Sequence, residues 1–257
     1  MAASRRRGRK ALLVLVVVVI AVAGLFVIAD RVAVIAAERT VADQAKKQLT
    51  AQGVSSPSNP SVKIGGFPFL TQVVGGRYNK ITIDIAKPST RDVTLDDLTV
   101  VATGVNASLG ALINGSGDIT ADHVAGTARL DWSSVSQLID LSQFGSGGAT
   151  VAPLPNGEVQ ITAPVKVLTL SINVVATGSI QVVNDAAQVH INKVNVQGGN
   201  VPPILQQVLG SLEQQLSFNV KIPPLPYHLK IQNVQAKQAG VTITATAANV
   251  PLNSGGA

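Results

Sequence analysis

The chain contains no cysteine. Disulfides are excluded, lipid attachment to an N-terminal cysteine is excluded, and a zinc site would need histidine and carboxylate ligands alone. Histidine is scarce as well. His123, His190 and His228 lie far apart, without HExxH-like spacing, so each reads as an ordinary strand residue. Charged residues make up only 13% of the 257 and aromatic residues 3%, which suggests a large apolar core or an apolar cavity. The formal charge of +6 is concentrated at the start, in Arg5, Arg6, Arg7, Arg9 and Lys10. With those five set aside, 15 basic residues face 14 acidic ones, so the remainder lacks the basic balance of a nucleic-acid binder.

Catalytic signatures are also missing. No G-x-S-x-G elbow occurs, which leaves a serine hydrolase of the common architecture unsupported. The one acidic pair, Asp96-Asp97, would point to opposite faces of a strand and reads as a solvated edge. Gly145 to Thr150 (GSGGAT) lacks the lysine and helix of a phosphate loop and reads as a linker. Asn106-Ala-Ser108 and Asn114-Gly-Ser116 match glycosylation sequons, a pattern that arises often by chance. No cofactor or metal is implied, and the chain is expected not to be an enzyme.

What is present begins with Ala11 to Ala29, nineteen consecutive uncharged residues directly after the basic tail. As a helix this segment is about 28 Å long, close to the roughly 30 Å hydrocarbon core of a bilayer. Cations on its N-terminal side hold that side in the cytoplasm. The expected organisation is a cytoplasmic tail over 1–10, a transmembrane anchor over 11–29, one extracytoplasmic domain over 30–252 and a flexible tail over 253–257. The expected location is the plasma membrane, single-pass. The alternative is a secreted protein, because Ala21-Val-Ala23 and Val27-Ile-Ala29 offer small residues to a signal peptidase, although the apolar run exceeds the usual ~7–15 residues.

From Asp30 to Gln52 the pattern is helical, with Val34, Val41, Ala45 and Leu49 on one stripe and Gly53 as C-cap. Ser55 to Pro60 breaks it, and strands follow. Lys80–Ile85 and Val241–Ala247 alternate cleanly. Two stretches shift phase midway, at Val167/Leu168 and between Ile191 and Val194, as a bulge would leave it. Asn114-Gly115, Asn184-Asp185 and Ala239-Gly240 read as hairpin turns. A short helix is expected from Ser133, carrying Val135, Leu138, Ile139 and Leu141. Another follows Pro202-Pro203, with Leu205, Val208, Leu212 and Leu216 in an apolar stripe. Ser142–Asn156, rich in glycine and proline, is expected to be the most flexible segment. The fold class is α+β, built on a strongly curved antiparallel sheet, with the long amphipathic helix read either as a stalk or as cradled by that sheet.

The most distinctive stretch is Gly66 to Ile83, GFPFLTQVVGGRYNKITI, where Phe67, Pro68, Phe69 and Leu70 form an apolar corner at a turn. It reads either as a plug closing one end of the core or, functionally, as a membrane-touching tip or the mouth of a lipid cavity. That motif, together with the basic tail, the single anchor, the amphipathic helix and the closing IPPLP hairpin from Ile222, resembles the actinobacterial LmeA family of phospholipid-binding proteins. The resemblance implies a fold similar to tubular lipid-binding modules, in which a strongly curved antiparallel sheet is wrapped around a long amphipathic helix and an apolar tunnel, acyl chains occupy the tunnel and no catalytic residue is needed. The expected function is a membrane-anchored binder or carrier of phospholipid or glycolipid. Phe67, Pro68, Phe69, Leu70, Leu205, Val208, Leu212 and Leu216 are the expected lipid contacts. The runner-up is a scaffolding envelope protein that binds another protein; a hydrolase or transferase using scattered Asp, His and Ser residues is more distant.

Overall fold

The computed structural model describes residues 4–91, 93–115, 117–138, 150–167, 170–183, 186–197, 217–219 and 229–252. Helix α1 (Ser4–Ala51) runs unbroken from the basic tail through the apolar segment and the amphipathic stripe. No proline interrupts it, and Gly53 ends it with φ +75°, while the Val54 N–H donates to the Leu49 carbonyl. The stretch with mean hydropathy 3.4 near the start of this helix is wholly unburied, so α1 is long and apolar enough to cross a membrane. Beyond Asp30 one stripe turns inward: Val34 and Ala37 are buried, and Val41, Ala42, Ala45 and Leu49 are partly so.

Strands β1 (Ser61–Gly65), β2 (Arg77–Ala86), β3 (Asp97–Asn106) and β4 (Thr120–Leu130) form an antiparallel sheet with β10 (Lys230–Lys237) and β11 (Gly240–Pro251), in the order β1-β2-β3-β4-β11-β10. A second antiparallel sheet holds β5 (Thr150–Pro153), β6 (Val159–Val167), β7 (Leu170–Val183), β8 (Ala186–Val196) and β9 (Ser217–Asn219) in sequence order. The α+β class holds, but the strands divide between two sheets rather than one. Short helices α2 (Phe69–Gly75), α3 (Leu109–Asn114) and α4 (Trp132–Leu138) punctuate them, the last where a helix was expected and with Val135 buried.

Two further expectations are corrected. The phase change at Val167/Leu168 is a reversal of the chain, because Val167 pairs with Leu170 across the β6–β7 hairpin; two strands, not one bulged strand, carry the two parities. Asn114-Gly115 is the end of α3, with Gly115 left-handed as its C-cap, so a helix rather than a tight hairpin joins β3 to β4. Its start is capped by Ser108, whose hydroxyl accepts from the Ala111 N–H at 3.1 Å. Of the segment expected to be flexible, residues 142–149 lie outside the described residues, while Thr150–Pro153 forms edge strand β5 with Val151 buried, and Leu154 and Glu158 close a turn to β6. The bulge between Ile191 and Val194 is present as a register shift opposite Thr177 and Gly178, and β10 and β11 meet at Lys237 and Gly240 as expected. Val183 pairs with Ala186, so the strands flanking Asn184-Asp185 do run antiparallel. The stripe Leu205, Val208, Leu212 and Leu216, together with Ile139, Leu141 and His228, lies outside the described residues.

The six-stranded sheet has one apolar face and one threonine-rich face. Along β11, Val241, Ile243, Ala245 and Ala247 point inward and Thr242, Thr244 and Thr246 outward. One part of the inward face packs on α1, α2 and α3 through Val62, Ile64, Ile81, Val105, Val124 and Val250, with Leu112 of α3 in the same cluster. The rest packs against the second sheet through Leu130, Val159, Ile161, Val189, Ile191, Ile231 and Val241, and Leu229 touches both clusters. Small residues take inward positions on the central strands: Ala102 in the helix-side cluster, Ala245 in the other, Gly126 in register beside Ala245, and Ala128 two residues further along β4.

A crease crosses this sheet. Buried residues are spaced by three instead of two in neighbouring strands: Tyr78 and Ile81 in β2, Ala102 and Val105 in β3, Ala121 and Val124 in β4. The registers stay aligned because each strand carries its extra residue at the same level, Asn79, Gly104 and Asp122, with Asn249 at φ +53° continuing the line in β11. Gly104, at φ +61°, is needed for space as well as conformation. A Cβ there would overlap the Asp122 carboxylate, which crosses over it to bind Arg77 at 2.6 Å.

Candidate membrane-facing site

Three hydrogen bonds lay the chain after α1 back along that helix. The Lys46 ammonium donates to Asn59 at 2.7 Å, the Ile64 N–H to Glu38 at 2.8 Å, and the Leu70 N–H to Asp30 at 2.8 Å. Each successive helix residue is about 12 Å nearer the apolar segment, at 1.5 Å rise per residue. Strand β1 therefore returns the chain toward the point where the apolar run of α1 ends, and the GFPFL corner is fastened to the first charged residue after that run.

Asp30 is the fastening. Its side chain is 0% exposed. α2 begins after Pro68, which offers no side-chain cap, so its first N–H groups are satisfied by this carboxylate from another helix. The Arg31 guanidinium pairs with the same carboxylate. Desolvation pushes the Asp30 pKa up, but the Arg31 hydrogen bond, the Leu70 and Phe69 amides and the Arg31 charge outweigh it, and the carboxyl lies below its ordinary range. Arg31 also sits 5.1 Å from the centre of the Phe67 ring.

The two phenylalanines of the corner part company. Phe67 is 60% exposed; Phe69 is 2% exposed and its ring lies 6.2 Å from that of Tyr78, which is itself fully buried. Pro68 and Leu70 are half-buried, and Leu70 packs on the helix-side cluster. The expected corner is thus an exposed ring beside a buried plug. Gly76, at φ +62°, then caps α2 directly before β2. Gln72 accepts from the Asn79 N–H at 2.9 Å, tying α2 to β2. Burial pushes the Tyr78 hydroxyl pKa up. Val74, on α2, is 89% exposed, and Val32 and Ile35 prolong the uncovered apolar surface of α1 beyond Asp30.

Elsewhere, His123 and His190 are exposed strand residues, and Asp97 is paired with Arg129 at 2.7 Å on the threonine-rich face. An open groove of about 510 Å³ on the six-stranded sheet is lined by Val101, Thr103, His123, Gln232 and Thr246 among others, and shares no residue with the corner. Sequence reading found the corner but not Asp30, Arg31 or Val74. The available signal was an acidic residue placed directly after a membrane-length apolar run.

No curated protein and no solved structure matches the chain. The family model of LmeA-like phospholipid-binding proteins matches residues 28–246, from the end of the apolar run to the last strand, and the chain belongs to that family.

Proposed function

We propose that the protein is a non-catalytic binder or carrier of phospholipid or glycolipid, held by residues 11–29 in the plasma membrane with the domain over 30–252 on the extracytoplasmic side. The hydrogen bond from Leu70 to Asp30 carries this reading, because it holds an exposed phenylalanine beside the end of a membrane-length segment. Membership of a phospholipid-binding family supplies the ligand class. The crease and the small inward residues of β3, β4 and β11 support a sheet curved around acyl chains, with Leu205, Val208, Leu212 and Leu216 as further lining. Each buried methylene contributes about 0.8 kcal/mol, so ten supply on the order of 8 kcal/mol before the entropic costs of binding, without a polar specificity site.

Native mass spectrometry of the purified full chain tests the ligand. A phospholipid-sized mass that survives detergent exchange is expected, and a chain without adduct removes the lipid-binding reading. Protease added to intact protoplasts tests the topology: the domain should be digested to an anchored stub. A full-length product that resists digestion overturns the orientation, and a mature N-terminus at Asp30 overturns the retained anchor.

A further inference from the structure

Between Asp43 and Asp84 the chain has no acidic residue, yet it carries Lys46, Lys47, Lys63, Arg77 and Lys80. The last three belong to the hairpin of β1, α2 and β2, the part of the domain fastened to Asp30. Lys63 pairs in register with Thr82 and Lys80 with Gly65, which makes the two lysines diagonal neighbours on one exposed face, opposite the buried Val62, Ile64 and Ile81. At the tip of the same hairpin stand Phe67 and Val74, the two large apolar side chains that the fold leaves uncovered there.

We propose that this hairpin is a second membrane contact: Phe67 and Val74 dip into the outer surface of the bilayer that α1 crosses, and Lys63 and Lys80 meet anionic phospholipid headgroups. The inference rests on the anchored topology proposed above. Continuity with α1 places the hairpin at that surface, since the Leu70–Asp30 bond leaves the tip no length of free chain to swing away on. Charge complementarity selects anionic lipid, because a lysine near such a surface favours contact by about fivefold. Arg77 contributes less, being paired with Asp122. A tip held this way fixes the rotation of the domain about the axis of α1, which an anchor alone leaves free.

The absence of cysteine allows a single-site label. Val74→Cys, carrying an environment-sensitive fluorophore, is reconstituted as the full chain in phosphatidylcholine vesicles with and without phosphatidylglycerol. An Ala239→Cys label in the β10–β11 turn serves as the aqueous reference. The position-74 label should emit to the blue and be quenched by a lipid-borne quencher, more strongly with phosphatidylglycerol. Lys63→Gln with Lys80→Gln, or high salt, should abolish that lipid difference. A position-74 label that is quenched only from water, like that at 239, in both compositions overturns the proposal. So does insertion that is indifferent to both lysines and to lipid charge. The lipid mass adduct is read in a separate experiment, so loss of docking with the adduct retained refutes this contact and leaves the lipid-binding reading intact.

Discussion

The Asp30 carboxylate accepts the Leu70 N–H at 2.8 Å and thereby caps a helix from a position forty residues earlier in the chain than that amide. The bond joins the end of the membrane-length segment to the corner of the domain, so α1 and the sheet meet as one piece. A helix end capped by its own residues would have no such coupling.

Asp30→Asn should lower the melting temperature and loosen the corner, read as higher mobility of a position-74 label. Because the folded-state pKa of Asp30 lies below its ordinary value, the carboxylate's contribution is fully present at neutral pH and is lost as pH falls through that lowered pKa. Asp131, which accepts the Ser134 N–H at 2.7 Å at the start of α4, is lowered chiefly by that bond and follows the same sign. Stability measured by chemical denaturation should therefore fall on acidification below about pH 4, the ordinary carboxylate range. The fall should be shallower in Asp30→Asn and in Asp131→Asn.

Phe67→Ala and Phe69→Ala should separate cleanly. Removing the buried Phe69 ring costs about 3–5 kcal/mol, whereas the exposed Phe67 ring costs less than about 0.5 kcal/mol in unfolding. Lipid transfer between vesicles by the full chain should nevertheless slow with Phe67→Ala. Equal stability losses would place both rings in the core and remove Phe67 from the membrane contact.

Gly104→Ala should destabilise the domain by more than about 1 kcal/mol, since alanine is strained at positive φ and its Cβ displaces the Asp122 carboxylate. Adding Asp122→Ala to Gly104→Ala removes the overlap but not the strain. The double variant should therefore lose less than the two single losses combined, which denaturant titration of all four chains will show.

Val208→Trp addresses the proposed lining. If position 208 faces a lipid cavity, the added volume should reduce uptake of a fluorescent phospholipid while the melting temperature holds. A packed site would instead lose about 1–3 kcal/mol by overpacking with uptake unchanged, and that outcome would remove the stripe from the cavity.

The sequence by itself determined the features that repeat locally. Nineteen uncharged residues after five cations define α1's apolar part, and alternation over Lys80–Ile85 and Val241–Ala247 defines strands, because side-chain period depends on backbone geometry alone. It also singled out the GFPFL corner by composition. Only tertiary structure decided the rest. A phase change reads the same whether it comes from a bulge, as between Ile191 and Val194, or from a reversal, as at Val167 and Leu170; pairing distinguishes them. Phe67 and Phe69 are chemically identical neighbours, and α2 turns one outward and the other onto Tyr78. Asp30 looked like the polar end of a membrane segment. It became a buried cap because a strand and a turn carry Leu70 back to it, and a contact across forty residues leaves no local periodicity to read.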